Sequence, residues 1–390
     1  MKARSPRMTE SHFSGRARRC GSLIAMVTLL HFVVADPLFG QDKAITPRPI
    51  SHDILTEKES GEVEAAIDRG LDFLSHQQRR DGAFQSNRDN DPGISSLCVL
   101  AYLSRGHLPG QGPYGEKLNR SVEFLLSNQS PSGMFSLSSN SYHSPYSHGI
   151  TSLVVSEIYG MCPLENEVRL RSAIEKALEF TSRRYSQPKL FQDDQGSWRY
   201  LRRHRQSDGD LSVTSWHVMF LRSAKNQGFD VDVKLIDEAL AYMRRLYEPR
   251  RNTFRYEIHA DDPQNNYARG MAGAGVLSLS LSGDHYSEMA RNASAYILAR
   301  PFDQYERPIN GEEYPGYGAF YCSQAMFHMG GEYWNQFYPR LVKTLLKAQR
   351  SDGSWILKQG LDVQYGSAYM TAITILALTP PYQMLPIFQR

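Results

Sequence analysis

The chain has 390 residues, 41% hydrophobic and 22% charged, with a formal net charge of +3. That apolar content excludes a disordered chain and suffices for two average domains or one large repeat-closed one. Residues 1–35 carry six Lys or Arg against one acid, so the remainder has a formal charge of −2, which excludes a broad nucleic-acid-binding face.

Arg16, Arg18 and Arg19 precede an apolar run from Gly21 to Val34, and Val33-Val34-Ala35 offers small residues for cleavage. This is the pattern of a secretory signal peptide, and the run is shorter than the roughly 20 apolar residues of a comfortable membrane span. A secreted or periplasmic protein is expected, with no membrane span after cleavage; an uncleaved N-terminal anchor is the alternative. Residues 36–61 are polar, contain Pro47 and Pro49, and read as a linker. Three cysteines remain, Cys98, Cys162 and Cys322. Odd in number and far apart, they imply no disulfide framework, and Cys98 is expected to be a buried apolar residue.

From residue 62 to 386 the chain repeats. Ala66 to Leu74 has apolar residues at three- and four-residue spacing, the mark of an amphipathic helix, and runs into Gln78-Arg79-Arg80-Asp81-Gly82-Ala83-Phe84. Ser121 to Leu126 is followed by Gln129 to Phe135, and Ile174 to Phe180 by Gly196-Ser197-Trp198. Ile236 to Leu246 precedes Phe254-Arg255-Tyr256, and Met289 to Leu298 is the most degenerate copy. Leu341 to Leu346 leads into Gln349-Arg350-Ser351-Asp352-Gly353-Ser354-Trp355. Glycine accepts the positive φ of such a turn, and Asp or Ser caps nearby backbone.

A second, more apolar helix follows each turn. Aligning Ser95, Thr151, Thr214, Ala272, Ser323 and Thr371 gives gaps of 56, 63, 58, 51 and 48 residues, a regularity that marks a repeat protein. Helices apolar all round are buried, so the amphipathic set is expected outside and the apolar set inside. Six pairs can close on themselves and leave no end repeat uncapped. Thr379-Pro380-Pro381 stops the last helix.

The segments Gln78 to Phe84 and Gln349 to Trp355 resemble the repeat of squalene/hopene cyclases and protein prenyltransferase β-subunits. The resemblance covers roughly residues 62–386. It implies an all-α fold, an α6/α6 toroid of about six helix pairs around a central cavity. Cyclases of this family carry Asp-x-Asp-Asp-Thr where this chain reads Asp210-Leu211-Ser212-Val213-Thr214. Ser212 thus occupies the place of the proton-donating acid, and a hydroxyl is far too weak an acid for that step. The prenyltransferase zinc motif, Asp-x-Cys with a distant His, is absent at all three cysteines, so no metal and no cofactor is expected. The Cys-Gly-Glu-Gln motif of the complement thioester domain, which shares the fold, is also absent.

Loops before the inner helices should converge on one mouth, where the helix dipoles present their positive ends. Candidate ligand-binding residues there are Tyr142, His148, Ser212, Trp216, Tyr267, Arg269, Tyr317 and Tyr365. Asp208, Asp210 and Glu313 are the candidate catalytic carboxylates; capping of helix N-termini is the competing role. The basic stretch Arg199, Arg202, Arg203, His204 and Arg205 could hold an anionic glycan or a carboxylate-rich partner, although charge runs usually face water. The expected function is a secreted, non-catalytic toroid that binds a small molecule (isoprenoid or glycan) or a protein. The alternative is an enzyme, a diverged cyclase or a polysaccharide lyase or hydrolase, the latter on fold analogy. An enzyme should present an acid of raised pKa at an open cavity; a scaffold should bond its carboxylates to helix ends.

Overall fold

The structure is a computed structural model that describes residues 54–87, 92–136, 144–161, 167–201, 207–260, 266–305 and 314–390. The signal-like segment, most of the linker, Tyr142, Cys162 and Glu313 lie outside the described residues.

Twelve α-helices occupy the described residues, in pairs. The amphipathic members are α1 (Glu57–Gln77), α3 (Gly115–Ser127), α5 (Glu167–Tyr185), α7 (Val233–Arg245), α9 (Glu288–Leu298) and α11 (Gly331–Ala348). The apolar members are α2 (Pro92–Leu103), α4 (Ser144–Met161), α6 (Leu211–Asn226), α8 (Arg269–Leu281), α10 (Pro315–Met329) and α12 (Ser367–Leu378). Each apolar helix packs on the next, and α12 packs back on α2, so the inner ring closes. The amphipathic helices lie outside it, each burying one stripe; α1 buries Val63, Ala66, Ile67, Gly70, Leu71 and Leu74 and leaves Glu57 and Glu64 in water. The protein is therefore an α/α-toroid.

The recurring turn is an inter-repeat clasp. Nε2 of Gln78 donates to the carbonyl of Lys117 in α3 at 2.7 Å, Gln129 to Ala173 in α5 at 2.7 Å, and Gln349 to Ala66 in α1 at 2.7 Å. The same amides also bond the carbonyls of Gly82, Gly133 and Gly353 in their own turns. Those glycines have φ of 90°, 92° and 86°. An added Cβ would collide with the carbonyl oxygen of Arg120, Lys176 or Arg69 on the neighbouring outer helix. The last of these contacts joins the sixth pair to the first.

The aromatic that follows turns inward, and its backbone N–H is taken by a side chain at the start of the inner helix. Phe84 donates to Ser95 Oγ at 3.0 Å, Trp198 to Thr214 Oγ1 at 3.1 Å and Trp355 to Thr371 Oγ1 at 3.2 Å. These are aligned positions of the repeat. In the second pair His148 replaces the hydroxyl, accepting from Phe135 at 3.3 Å, while Thr151 instead accepts from Ser96 of α2 at 3.0 Å. The fourth pair closes its turn with a two-strand hairpin, Tyr247–Glu248 against Thr253–Phe254, where Asn252 takes the positive φ. Small residues set the closest inner approach: a Cβ on Gly273 of α8 would stand 2.6 Å from the backbone nitrogen of Cys322 in α10.

Two boundaries differ from the sequence reading. The first helix begins at Glu57, inside the stretch read as linker, because Thr56 and Glu59 form a reciprocal capping box. At the other end the ordered domain runs past 386: Ile387 and Phe388 are buried, and Phe388 meets the Phe320 ring edge-on at 6.1 Å. The Ile387 N–H donates to the carboxyl of Glu157, which is fully buried in α4 and also accepts from Ser223 of α6 at 2.5 Å. Burial pushes the Glu157 carboxyl up to about 7. Cys98 and Cys322 are buried free thiols. No helix among the described residues is long and apolar enough to cross a membrane.

Two outcomes follow from these contacts. Gly353→Ala should lower stability by at least about 2 kcal/mol, since left-handed strain and a backbone collision add; an unchanged denaturant midpoint contradicts the clasp. Glu157 has a folded pKa above its unfolded value, so its contribution is fully present below about pH 4.5 and is lost as pH rises through 7. Glu157→Gln removes the charge; its amide oxygen can accept from the Ile387 N–H while its NH2 donates to Ser223 Oγ. It should match the parent at pH 4 and exceed it by about 2–3 kcal/mol at pH 8, and a constant difference across that range contradicts the assignment.

Candidate functional site

The inner helices begin at one end of the ring, and their first turns carry the polar side chains. At α6, Asp210 is the N-cap: it accepts from the Val213 N–H at 2.7 Å. Its second oxygen accepts from the Tyr256 hydroxyl at 3.1 Å, and that hydroxyl lies 2.6 Å from the Tyr200 hydroxyl. Burial raises the Asp210 carboxyl to about 6, against the opposing pull of Arg199. Arg199 is buried between the Tyr200 and Tyr256 rings, at 5.2 and 5.7 Å from their centroids, and is paired with Glu257. Burial works against its charge, but Asp210, Tyr256 and Glu257 outweigh that and hold the guanidinium above its ordinary value.

On α10, Asp362 takes the corresponding place from a neighbouring turn. It accepts from the Gly316 N–H at 2.7 Å and the Tyr369 hydroxyl at 2.9 Å. This sets Tyr317 so that its hydroxyl reaches α6. It lies 2.5 Å from Ser212 Oγ and accepts from Trp216 Nε1 at 3.1 Å. Trp216 is itself buried and stacked on Phe320 at 5.7 Å. Ser212, Trp216 and Tyr317 are thus one hydrogen-bonded group, and Tyr146 of α4 joins Tyr200 at 6.2 Å between ring centroids. Burial, with Asp210 next, raises Tyr146 well above its ordinary value. Tyr146, Tyr256, Tyr317 and Tyr365 are half-buried, near the starts of the buried helices.

Other candidate residues lie elsewhere or are engaged. His148 is fully buried inside the second pair, its Nε2 2.9 Å from Thr181 Oγ1, and its pKa is pushed well below the ordinary value by burial. Arg269 donates to the carbonyls of Arg300 and Pro301 at 2.9 Å each and lies over Phe302. The Tyr267 ring stacks under Arg251 at 4.5 Å, and its carbonyl accepts from Tyr296. Tyr365 packs on Tyr369 at 4.8 Å. Asp208 accepts from the Leu190 N–H at 2.6 Å and so anchors a loop. Among the described residues no group of three or more His, Cys, Asp or Glu is placed to hold a metal ion.

Tyr200 and Tyr256 were not singled out as site residues in the sequence, yet a signal was there. Trp198-Arg199-Tyr200 and Phe254-Arg255-Tyr256 share one pattern. Two residues beyond the inward aromatic, an extended chain points a side chain to the same side.

No protein-family model matches the chain, and comparison with curated proteins finds no match. Solved structures do match in fold. An α-1,6-mannanase of glycoside hydrolase family 76 from Salegentibacter is 11% identical, with a TM-score of 0.58, over 84% of this chain and 99% of its own. A type II terpene cyclase from Scytonema is 12% identical, with a TM-score of 0.52, over 84% and 99%. An unsaturated glucuronyl hydrolase from Bacillus, described as degrading glycosaminoglycan, is 13% identical, with a TM-score of 0.55, over 82% and 95%. At these identities the likeness carries the toroid and nothing finer.

Tyr317→Phe removes the shared partner of Ser212 and Trp216. It should cost about 1–2 kcal/mol, the range for leaving buried polar groups unpaired. An unchanged unfolding midpoint would place the Tyr317 hydroxyl in water instead.

Proposed function

We propose that this protein is an exported, glycan-active toroid that binds a saccharide at the tyrosine mouth and acts on it through the Asp210–Tyr256–Tyr200 chain. The observation that carries the reading is the lining itself. Phenol and serine hydroxyls, backed by an indole N–H and a guanidinium, can exchange hydrogen bonds with a polyhydroxylated ring while the aromatic faces pack against it.

Chemistry has a physical starting point at Asp210. A carboxyl near pKa 6 exchanges its proton at neutral pH and is hydrogen-bonded through Tyr256 to Tyr200. Asp210 has no solvent exposure of its own. The phenol of Tyr256 is therefore the group that would meet the substrate, with Asp210 returning or receiving its proton behind it. Ser212, in the place of the cyclase acid, supplies a hydroxyl to the lining and no proton to an alkene. Glycan-active toroids among the matched structures support the reading. The competing one, binding without turnover, is favoured by a separate observation: both Asp210 oxygens are already engaged, one of them at a helix N-terminus.

The test is a thermal-shift and product screen of the purified protein against neutral and acidic oligosaccharides and against isoprenoids. A saccharide at a hundredfold excess over Kd should raise stability by about 2.7 kcal/mol, with new reducing ends or unsaturated product formed. Tyr256→Phe should abolish turnover while leaving affinity within about threefold. Saccharide binding without product assigns the protein to pure recognition, and a response to isoprenoids alone contradicts the proposal. Protein recovered from the extracytoplasmic fraction should begin at Asp36; an intact Met1 in the cytosol contradicts export.

A further inference from the structure

Beside the tyrosine mouth a cleft of about 210 Å³ opens between the end of α5 and the segment that carries Trp198. Its walls include Arg184, Lys189, Arg199, Tyr200 and Asp208. Tyr200 and Arg199 also belong to the mouth, so the cleft continues from it.

The charges in this cleft do not balance. Three cations, Arg184, Lys189 and Arg199, face Asp208 alone in the wall, with Glu257 paired to Arg199; Asp208 also accepts from the Leu190 backbone and its charge acts on both Arg184 and Lys189. Arg184 bonds Gln187 and the Tyr200 carbonyl; Lys189 donates to the carbonyls of Ser197 at 2.7 Å and Asp208 at 3.2 Å. Among the described residues neither cation has a carboxylate within ion-pair distance, and the buried Arg199 Nε–H has no acceptor at all. Burying a charge is costly, and burial here pushes the Lys189 ammonium down to about 8 against the opposing pull of Asp208. Lys189 has three N–H donors and two carbonyl partners, so one donor is left for a ligand.

We propose that this cleft is an oxyanion subsite that takes the carboxylate of a uronate or the sulfate ester of an acidic saccharide whose next ring lies on Tyr200. The inference rests on the glycan reading above and adds its substrate class. Lys189 and Arg184 supply the charge.

The test is calorimetric titration of the full chain with four probes: an oligogalacturonate, its neutral methyl ester, a sulfated oligosaccharide and inorganic sulfate. One of the two acidic saccharides should bind at least about tenfold tighter than the methyl ester, the scale of a charge-assisted pair. Lys189→Gln should remove that preference without changing affinity for the ester, and Arg184→Lys should retain it. Should Lys189→Gln unfold the protein, Arg184→Gln makes the same test. If the ester binds as tightly as both acids, the cleft inference fails and the glycan reading stands. If no saccharide binds, the glycan reading and the subsite fail together, and Lys189-dependent binding of inorganic sulfate alone marks an adventitious ion only. Preference for the uronate over the sulfated probe, or the reverse, identifies the oxyanion.

Discussion

The hydrogen bond from Gln349 to the carbonyl of Ala66, with Gly353 pressed on Arg69, joins the last helix pair to the first. Gln78 and Gln129 make the same bond between consecutive pairs. With α12 packed on α2 this contact closes the ring, where an open solenoid would expose two apolar ends that need polar caps. Closure also fixes direction. All six inner helices start on the same side, so their N-terminal dipoles and their first-turn side chains are collected at one mouth. The site exists because the ring closes, by packing of α12 on α2 with the glutamine–glycine clasp at the same joint.

The mouth shows how one set of carboxylates serves two ends. Asp210 and Asp362 satisfy backbone N–H groups at the starts of α6 and α10, which is what helix termini demand of nearby acids. Each then uses its other oxygen to hold a tyrosine: Tyr256 on Asp210, Tyr369 on Asp362. The phenols around the opening are thereby oriented by the same groups that start the helices. Asp210 is the more consequential, because burial raises its pKa into the range where proton exchange at neutral pH is possible. The Arg199–Glu257 pair beside it places a charge-neutral ion pair at the boundary between the mouth and the cleft.

Much of the fold was legible because its cause is local. Positive φ and turn capping select Gly82, Gly133 and Gly353, and the inward aromatic needs an acceptor, which Ser95, Thr214 and Thr371 provide. Where the chain used different chemistry for the same need, the reading lost its register. His148 takes the acceptor's place in the second pair and looks like a mouth residue for that reason, and Asn252 replaces the turn glycine in the fourth. The start at Glu57 was written in Thr56 and Glu59, but a polar neighbourhood disguised it. Long-range partners were not legible. Nothing near Glu157 announces that Ile387 will reach it, and nothing near Ser212 announces Tyr317, more than a hundred residues away. Sequence placed Asp210, Ser212, Trp216 and Tyr317 at one end of the ring; the distances that make them a hydrogen-bonded surface come from closure.

The most direct measurement is a structure of the protein crystallised with a bound acidic oligosaccharide. The account predicts one sugar ring against Tyr200, Tyr256 and Tyr317, with its neighbour's oxyanion at Lys189 and Arg184. A saccharide seated on the outer helices, with the tyrosine mouth untouched, would contradict it.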